Sequence, residues 1–309
     1  MPDRTNTTRL PLERPAIVEW VTLGLYLGCI AAWGLGLFVL AAWSVPVAAL
    51  VLVIALVLHS SITHEVLHGH PFPSRHASEA LVIVTPGLFV PYVRFRDMHL
   101  AHHHDARLTD PYDDPESNYL DPAVWAELPR VLRRVLSWNN TLAGRILIGP
   151  VVSQITFMRS DWGAIRQGDG QVIRAWLLHV PGTVLVLALV WISPMPVWVY
   201  LFACYAALSI LKIRTFLEHR AHGLVRGRTV IVEDRGVLAF LFLNNNLHVV
   251  HHMHPRVPWY RLPALYRENA ARYLSSNEGY RYRSYGHVFA QHLFKAKDPV
   301  PHPLWSRDP

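Results

Sequence analysis

Nine histidines fall in four short blocks: His64-Glu65-Val66-Leu67-His68, His99-Leu100-Ala101-His102-His103, Glu218-His219 and His248-Val249-Val250-His251-His252. The spacing is helical. His64 and His68 are four apart, and both triplets repeat at i, i+3 and i+4, so each block lays its imidazoles on one helix face. Neutral imidazole binds Fe, Zn, Cu and Ni, and one ion seldom takes more than six ligands, so eight or nine convergent histidines imply two ions. Zinc has no redox chemistry, and its closed structural sites usually recruit cysteine, of which this chain has only Cys29 and Cys204, both in apolar runs. Iron is the expected metal and oxidation the expected chemistry.

The blocks flank long apolar segments. The chain has 309 residues, 51% hydrophobic and only 17% charged. The stretches at about 20–40, 46–63, 176–191 and 196–213 are apolar enough to read as four transmembrane helices in two hairpins. The connections near Ala41 to Val47 and Ile192 to Val197 carry no charged residue, which leaves every Lys and Arg on one side. By the positive-inside rule that side is cytoplasmic, with both termini and the histidines there, and Trp43, Trp191 and Trp198 suit the opposite interface. The first apolar run is too long for a signal-peptide core, so it reads as a retained helix of an inner (plasma) membrane protein. The formal charge of +7 fits a cytoplasmic face beside anionic lipid, and no nucleic-acid partner is expected. Both cysteines lie in spans, which argues against a disulfide framework.

Residues 1–15 read as a flexible cytoplasmic tail and 16–309 as a single domain, with a cytoplasmic cap built from 64–175 and 214–309. The second span runs on as a helix through His64 and His68 to a Gly69-His70-Pro71 stop. Ala80 to Val93 is apolar but broken by Pro86, Gly87 and Pro91, so an interfacial or re-entrant segment is predicted. Asp105 to Asp121 reads as loop, Arg130 to Arg174 as helices with basic, partly amphipathic faces. The fourth span is predicted to continue through Lys212 and Arg214 to Glu218-His219. From Pro46 to His64 and from Pro196 to His219 the rise is roughly 27 and 35 Å, at about 1.5 Å per residue, against a core of about 30 Å. Both helices then deliver histidine to one depth, the cytoplasmic membrane surface. The fold class is thus an all-α integral membrane protein whose helical cap carries a histidine-ligated di-metal site.

These residues resemble the membrane fatty acid desaturase superfamily, with its three histidine boxes and four spans. Asn245-Asn246-Leu247-His248-Val249-Val250-His251-His252, followed by Pro255 and Pro258-Trp259-Tyr260-Arg261-Leu262-Pro263, is similar to the family's third box and its continuation. Arg214-Thr215-Phe216-Leu217-Glu218-His219 is similar to the Arg and Glu-His element after the fourth span. The resemblance covers about His59 to Pro263 and implies two non-haem irons held by His64, His68, His99, His102, His103, His219, His248, His251 and His252. Asn244 or Asn245 is implied as a weaker or water-mediated partner. It further implies O2 as co-substrate and desaturation of a fatty acyl chain. Electrons are expected from a separate ferredoxin, rubredoxin or similar donor, since the haem-binding His-Pro-Gly-Gly of a fused cytochrome b5 is absent. The first box also looks like that of membrane alkane hydroxylases. The second, with Asp110-Pro111 and Asp114-Pro115, looks like that of bacterial carotenoid hydroxylases. Hydroxylation of an acyl chain, alkane or carotenoid is therefore the second reading.

Taken alone, His64-Glu65-Val66-Leu67-His68 is a zinc-protease motif with Glu65 as general base. That reading needs a further ligand, usually an aspartate in a later span, where none is predicted, and it leaves seven clustered histidines unexplained. Glu65 is better placed as a residue behind the ligands. His219 after Glu218 could merely complement a helix dipole. His70, His104 and His254 fall outside the box pattern, and His59 and His179 read as satisfied polar residues in apolar segments or as channel lining. Asp105, Asp110, Asp114 and Glu218 could fix ligand tautomers. Arg94, Arg96, Lys212 and Arg214 could bind a headgroup, a thioester carrier or an acidic donor, or serve as interfacial anchors.

Overall fold

The computed structural model describes residues 17–104 and 108–305, apart from the side chain of His104. The tail at 1–15 and Asp105 lie outside the described residues. Four of the described helices are long and apolar enough to cross a membrane. Helix α1 (Trp20–Leu35) is carried on to Trp43 through a π-helical turn at Gly36–Leu40. After one extended residue, Ser44, α2 (Val45–Leu67) starts with proline in its first turn, where a missing N–H costs nothing. Its 23 residues run roughly 35 Å, a little more than a hydrocarbon core of about 30 Å, and His64 lies in its last turn. The helices α9 (Gly170–Ile192) and α10 (Val197–Thr215) complete the set, and α2 packs against both α1 and α10. Gly36 lets α1 approach closely, since an added Cβ would stand 3.0 Å from the Leu52 side chain on α2.

Between α3 (Arg75–Val82) and α4 (Tyr92–His104) the chain leaves helical conformation, as the prolines predict, and enters the bundle. Irregular backbone at such depth requires protein partners for its polar groups. Side chains supply them. Tyr26 donates to the Leu81 carbonyl at 2.6 Å, Tyr200 to Pro86 at 2.7 Å, His179 to Leu88 at 2.7 Å and Gln154 to Phe89 at 2.9 Å. Leu88 itself sits at φ +66°. Tyr200 also accepts from Trp33 Nε1 at 3.0 Å, so one hydroxyl ties α1, α10 and the inserted segment together. Replacing it by phenylalanine leaves the part-buried Trp33 N–H unpaired and the Pro86 carbonyl with only the Cys204 thiol at 3.8 Å. We expect Tyr200→Phe to lower stability by about 2 kcal/mol, read as a shifted unfolding midpoint in mixed micelles.

The remaining described α-helices are α5 (Pro122–Glu127), α6 (Arg130–Asn139), α7 (Leu142–Leu147), α8 (Gly149–Arg166), α11 (Val237–Leu241), α12 (His248–Met253), α13 (Leu262–Ser276) and α14 (Tyr285–His292). Two expectations are corrected here. The fold is not purely α: β1 (Ile231–Val232) and β2 (Arg281–Tyr282) form a short parallel ladder. Nor does the fourth span reach His219. Helix α10 stops at Thr215, and Glu218, His219 and Arg220 pair instead with residues 228–230 through Val230 N to Glu218 O, a His219–Thr229 bridge and Arg220 N to Arg228 O. Strand-like pairing takes over the backbone groups that another helical turn would have used.

Candidate metal centre

All nine histidines of the four blocks come together. Their ligand atoms form two groups, His64, His68, His99, His103 and His251, and His102, His219, His248 and His252, each lying within 4.8 Å of one another. The i, i+3, i+4 triplets explain how α4 and α12 serve both. The pair His99/His103 on α4 joins the first group while His102 reaches the second. On α12 the pair His248/His252 joins the second while His251 reaches the first. Helix α2 contributes His64 from its last turn and His68 from its C-cap, and the extended segment after α10 contributes His219.

Within each group the Nε2 atoms point at one another. His64 and His99 are 3.0 Å apart, His99 and His103 3.0 Å, His103 and His251 3.1 Å. In the second group His102 and His219 are 2.9 Å apart, His219 and His248 3.2 Å, His248 and His252 3.1 Å. Nitrogens bonded to a common ion at about 2.1 Å stand about 3.0 Å apart at right angles and about 3.4 Å apart in a tetrahedron. The nearest separations, 2.9 to 3.2 Å, are close enough for neighbouring nitrogens to share one ion. His68 Nε2 is buried without a hydrogen-bond partner, which a neutral ring tolerates poorly unless a cation takes the lone pair. The donor set therefore fits two ions, one in each group of imidazoles.

Behind the rings stand carboxylates. His102 Nδ1 meets Asp114 at 2.8 Å, His99 Nδ1 meets Glu116 at 2.8 Å, and His248 Nδ1 meets Asn245 Oδ1 at 3.0 Å. Such partners fix the tautomer that presents Nε2 inward. Burial pushes His68, His219, His248, His251 and His252 well below the ordinary histidine value, which favours the neutral form that can ligate. Burial also pulls on His102, but Glu116 and Asp114 outweigh it and hold the ring up at about 9. Burial alone would raise Glu116, yet the imidazoles of His99 and His102 keep its carboxyl well below the usual range. Negative charge is thus built in where a cation belongs.

The other sequence candidates resolve individually. Glu65 accepts from the Trp259 N–H at 3.0 Å and lies 3.9 Å from His64 Nδ1, behind the ring and away from the convergent nitrogens, which is no position for a general base. Asn244 donates to the Trp259 carbonyl, and Asn245 also donates to Glu218, so neither amide enters a ligand group. Glu218 pairs with Arg214 at 2.9 Å. Asp110 caps a loop turn and accepts from Trp305. Arg94 pairs with Asp161, and Arg96 with Glu79 and Asp97. His70 meets Glu19 at 2.9 Å, His59 meets Thr63, and His254 stands edge-on to Tyr273. Glu116 escaped the sequence reading; its alternation with Asp114 across Asp114-Pro115-Glu116 was the available signal.

The profile of a protein family described as fatty acid desaturase matches residues 41–284. The chain is also similar to a beta-carotene ketolase from Paracoccus sp. (strain N81106 / MBIC 01143), 29% identical over 255 residues, covering 77% of this chain and 88% of that protein.

Proposed function

Because the chain belongs to the fatty acid desaturase family, we propose that it is an O2-dependent, non-haem di-iron oxidoreductase of the membrane that desaturates a fatty acyl chain. The observation that carries this is the double cluster of nine convergent imidazoles, a thiolate-free donor set that suits a pair of redox ions better than one structural zinc. The nine histidines are the ligands in this reading. Two irons held there would supply activation of O2 and removal of hydrogen from an unactivated C–H bond.

The chain's own groups do the rest. Asp114, Glu116 and Asn245 hold three ligand rings in register from behind. The four spans form two hairpins that present the cluster at the cytoplasmic surface, where an apolar chain enters from the bilayer and a soluble ferredoxin or rubredoxin delivers electrons. Desaturation consumes O2, two electrons and two protons for each pair of hydrogens removed, and releases two waters. The second reading is oxygenation of a carotenoid or similar apolar substrate, favoured by similarity to the Paracoccus ketolase along most of both chains.

Expression with a reductase and ferredoxin, in a plain host and in one that makes β-carotene, separates the two. Mass spectrometry of total lipids that finds products two hydrogens lighter supports desaturation. Pigments gaining oxygen in the second host support the alternative. No new product in either, from protein carrying two irons, would overturn both.

A further inference from the structure

Helix α6 has an apolar face that nothing among the described residues covers. Val131, Leu132, Val135 and Trp138 are between 37 and 72% exposed. At about 100° per residue they and Leu136 occupy one side of the helix, while Arg130, Arg133, Arg134 and Ser137 occupy the other. A ten-residue helix so exposed is marginal in water and needs an apolar surface to lie on. Helix α8 shows where that surface is. Its Val151, Ile155, Met158 and Trp162 form a second exposed stripe, 44 to 63% accessible, at i, i+4, i+7 and i+11.

The connection between the two helices sets their depth. Tyr205 on α10 donates to the Leu147 carbonyl at the end of α7. Tyr205 lies ten residues before Thr215, so this contact is roughly 15 Å from the histidine end of α10, inside the apolar layer. At its other end α7 lies tightly against α6, since a Cβ on Gly144 would come within 1.9 Å of the Trp138 carbonyl. The exposed apolar surface therefore descends from Trp138 through Leu147, itself 58% exposed, to Val151 and the rest of the α8 stripe. Exposed apolar side chains also mark the spans, among them Leu177, Val180 and Val184 on α9.

We infer that α6 is an in-plane membrane anchor: its apolar face inserts at the headgroup boundary of the leaflet on the histidine side, and Arg130, Arg133 and Arg134 bind anionic phospholipid headgroups. Arginine on the polar face and tryptophan at the border suit that location. The anchor is mechanically linked to the metal centre. Arg145 on α7 donates to the Asn139 carbonyl at 3.1 Å, to Asn140 at 3.2 Å and to Asn118, in the loop that bears Asp114 and Glu116. Seating of α6 on the membrane thus bears on the loop that orients His102 and His99.

The test uses nitroxide labels at Val131→Cys, Val135→Cys and, as control, Arg134→Cys, in nanodiscs of phosphatidylcholine with or without phosphatidylglycerol. The native cysteines Cys29 and Cys204 are buried and leave the labels specific. Labels at 131 and 135 are expected to be reached by O2 and shielded from aqueous nickel, and the label at 134 the reverse. Omitting phosphatidylglycerol, or the R130Q/R133Q/R134Q variant, shifts the seated-to-unseated ratio on the order of a hundredfold, at about a factor of five per arginine. Nickel access at 131 and 135 equal to that at 134 would overturn the proposal. So would shielding from both probes with dipolar broadening, which marks a contact between copies. On the unaltered chain, a photoactivatable phosphatidylglycerol should crosslink within 130–138, and crosslinks confined to the spans would count against the anchor.

Discussion

His252→Ala is expected to leave a chain that carries one metal instead of two. The second group has four imidazoles, and this change leaves His102, His219 and His248, of which the last loses its neighbour at 3.1 Å. Removing an outer-shell partner typically costs 10–100-fold in affinity or activity, so loss of a direct ligand from a group of four should cost more than about 100-fold in turnover. His68→Ala offers the contrast. It leaves four imidazoles in the other group, enough to keep an ion there, with turnover reduced but metal content near two. Elemental analysis of purified protein and Mössbauer spectra of iron-57 samples read both effects. Two irons in His252→Ala with unchanged spectra would remove the four-histidine group from the site. Insertion is unaffected in either reading, because neither ring belongs to a span.

The difference between what was legible in the sequence and what was not follows from the range of the interactions. The spans and the three helical boxes are written in local periodicity, and they reappear within a few residues of their expected ends. His219 looked like the end of a helix because Lys212, Arg214 and Glu218 continue a helical spacing. Its true setting depends on Thr229 and Arg228, which pair with it and Arg220 only in the folded chain. Glu116 was missed for the same reason: its partner His99 is seventeen residues away, and a carboxylate in an acidic loop looks like any other until the loop folds back. The broken apolar stretch after α3 was recognisable from its prolines, while the tyrosine, histidine and glutamine that satisfy its carbonyls come from four different helices. The split of each triplet between two groups could not be foreseen either, since it depends on how α4 and α12 face each other.

Asp114→Asn and Glu116→Gln should damage different ions. Asp114 is buried, and its Oδ1 accepts from His102 Nδ1 at 2.8 Å and from Glu116 N at 2.9 Å, while Oδ2 accepts from Thr109 N at 2.8 Å. Asparagine supplies one acceptor where two are needed, so its amide must face a donor whichever way it turns. The expected cost is about 1–3 kcal/mol of stability. Metal affinity of the four-histidine group, which contains His102, should fall roughly 10–100-fold. Glu116 stands behind His99 instead, so Glu116→Gln weakens the five-histidine group and spares the other. Stepwise chelator titration, followed by the separate Mössbauer signals of the two ions, reads each affinity by itself. Equal weakening of both ions by both variants would show that these carboxylates act through the loop as a whole rather than each through its own imidazole.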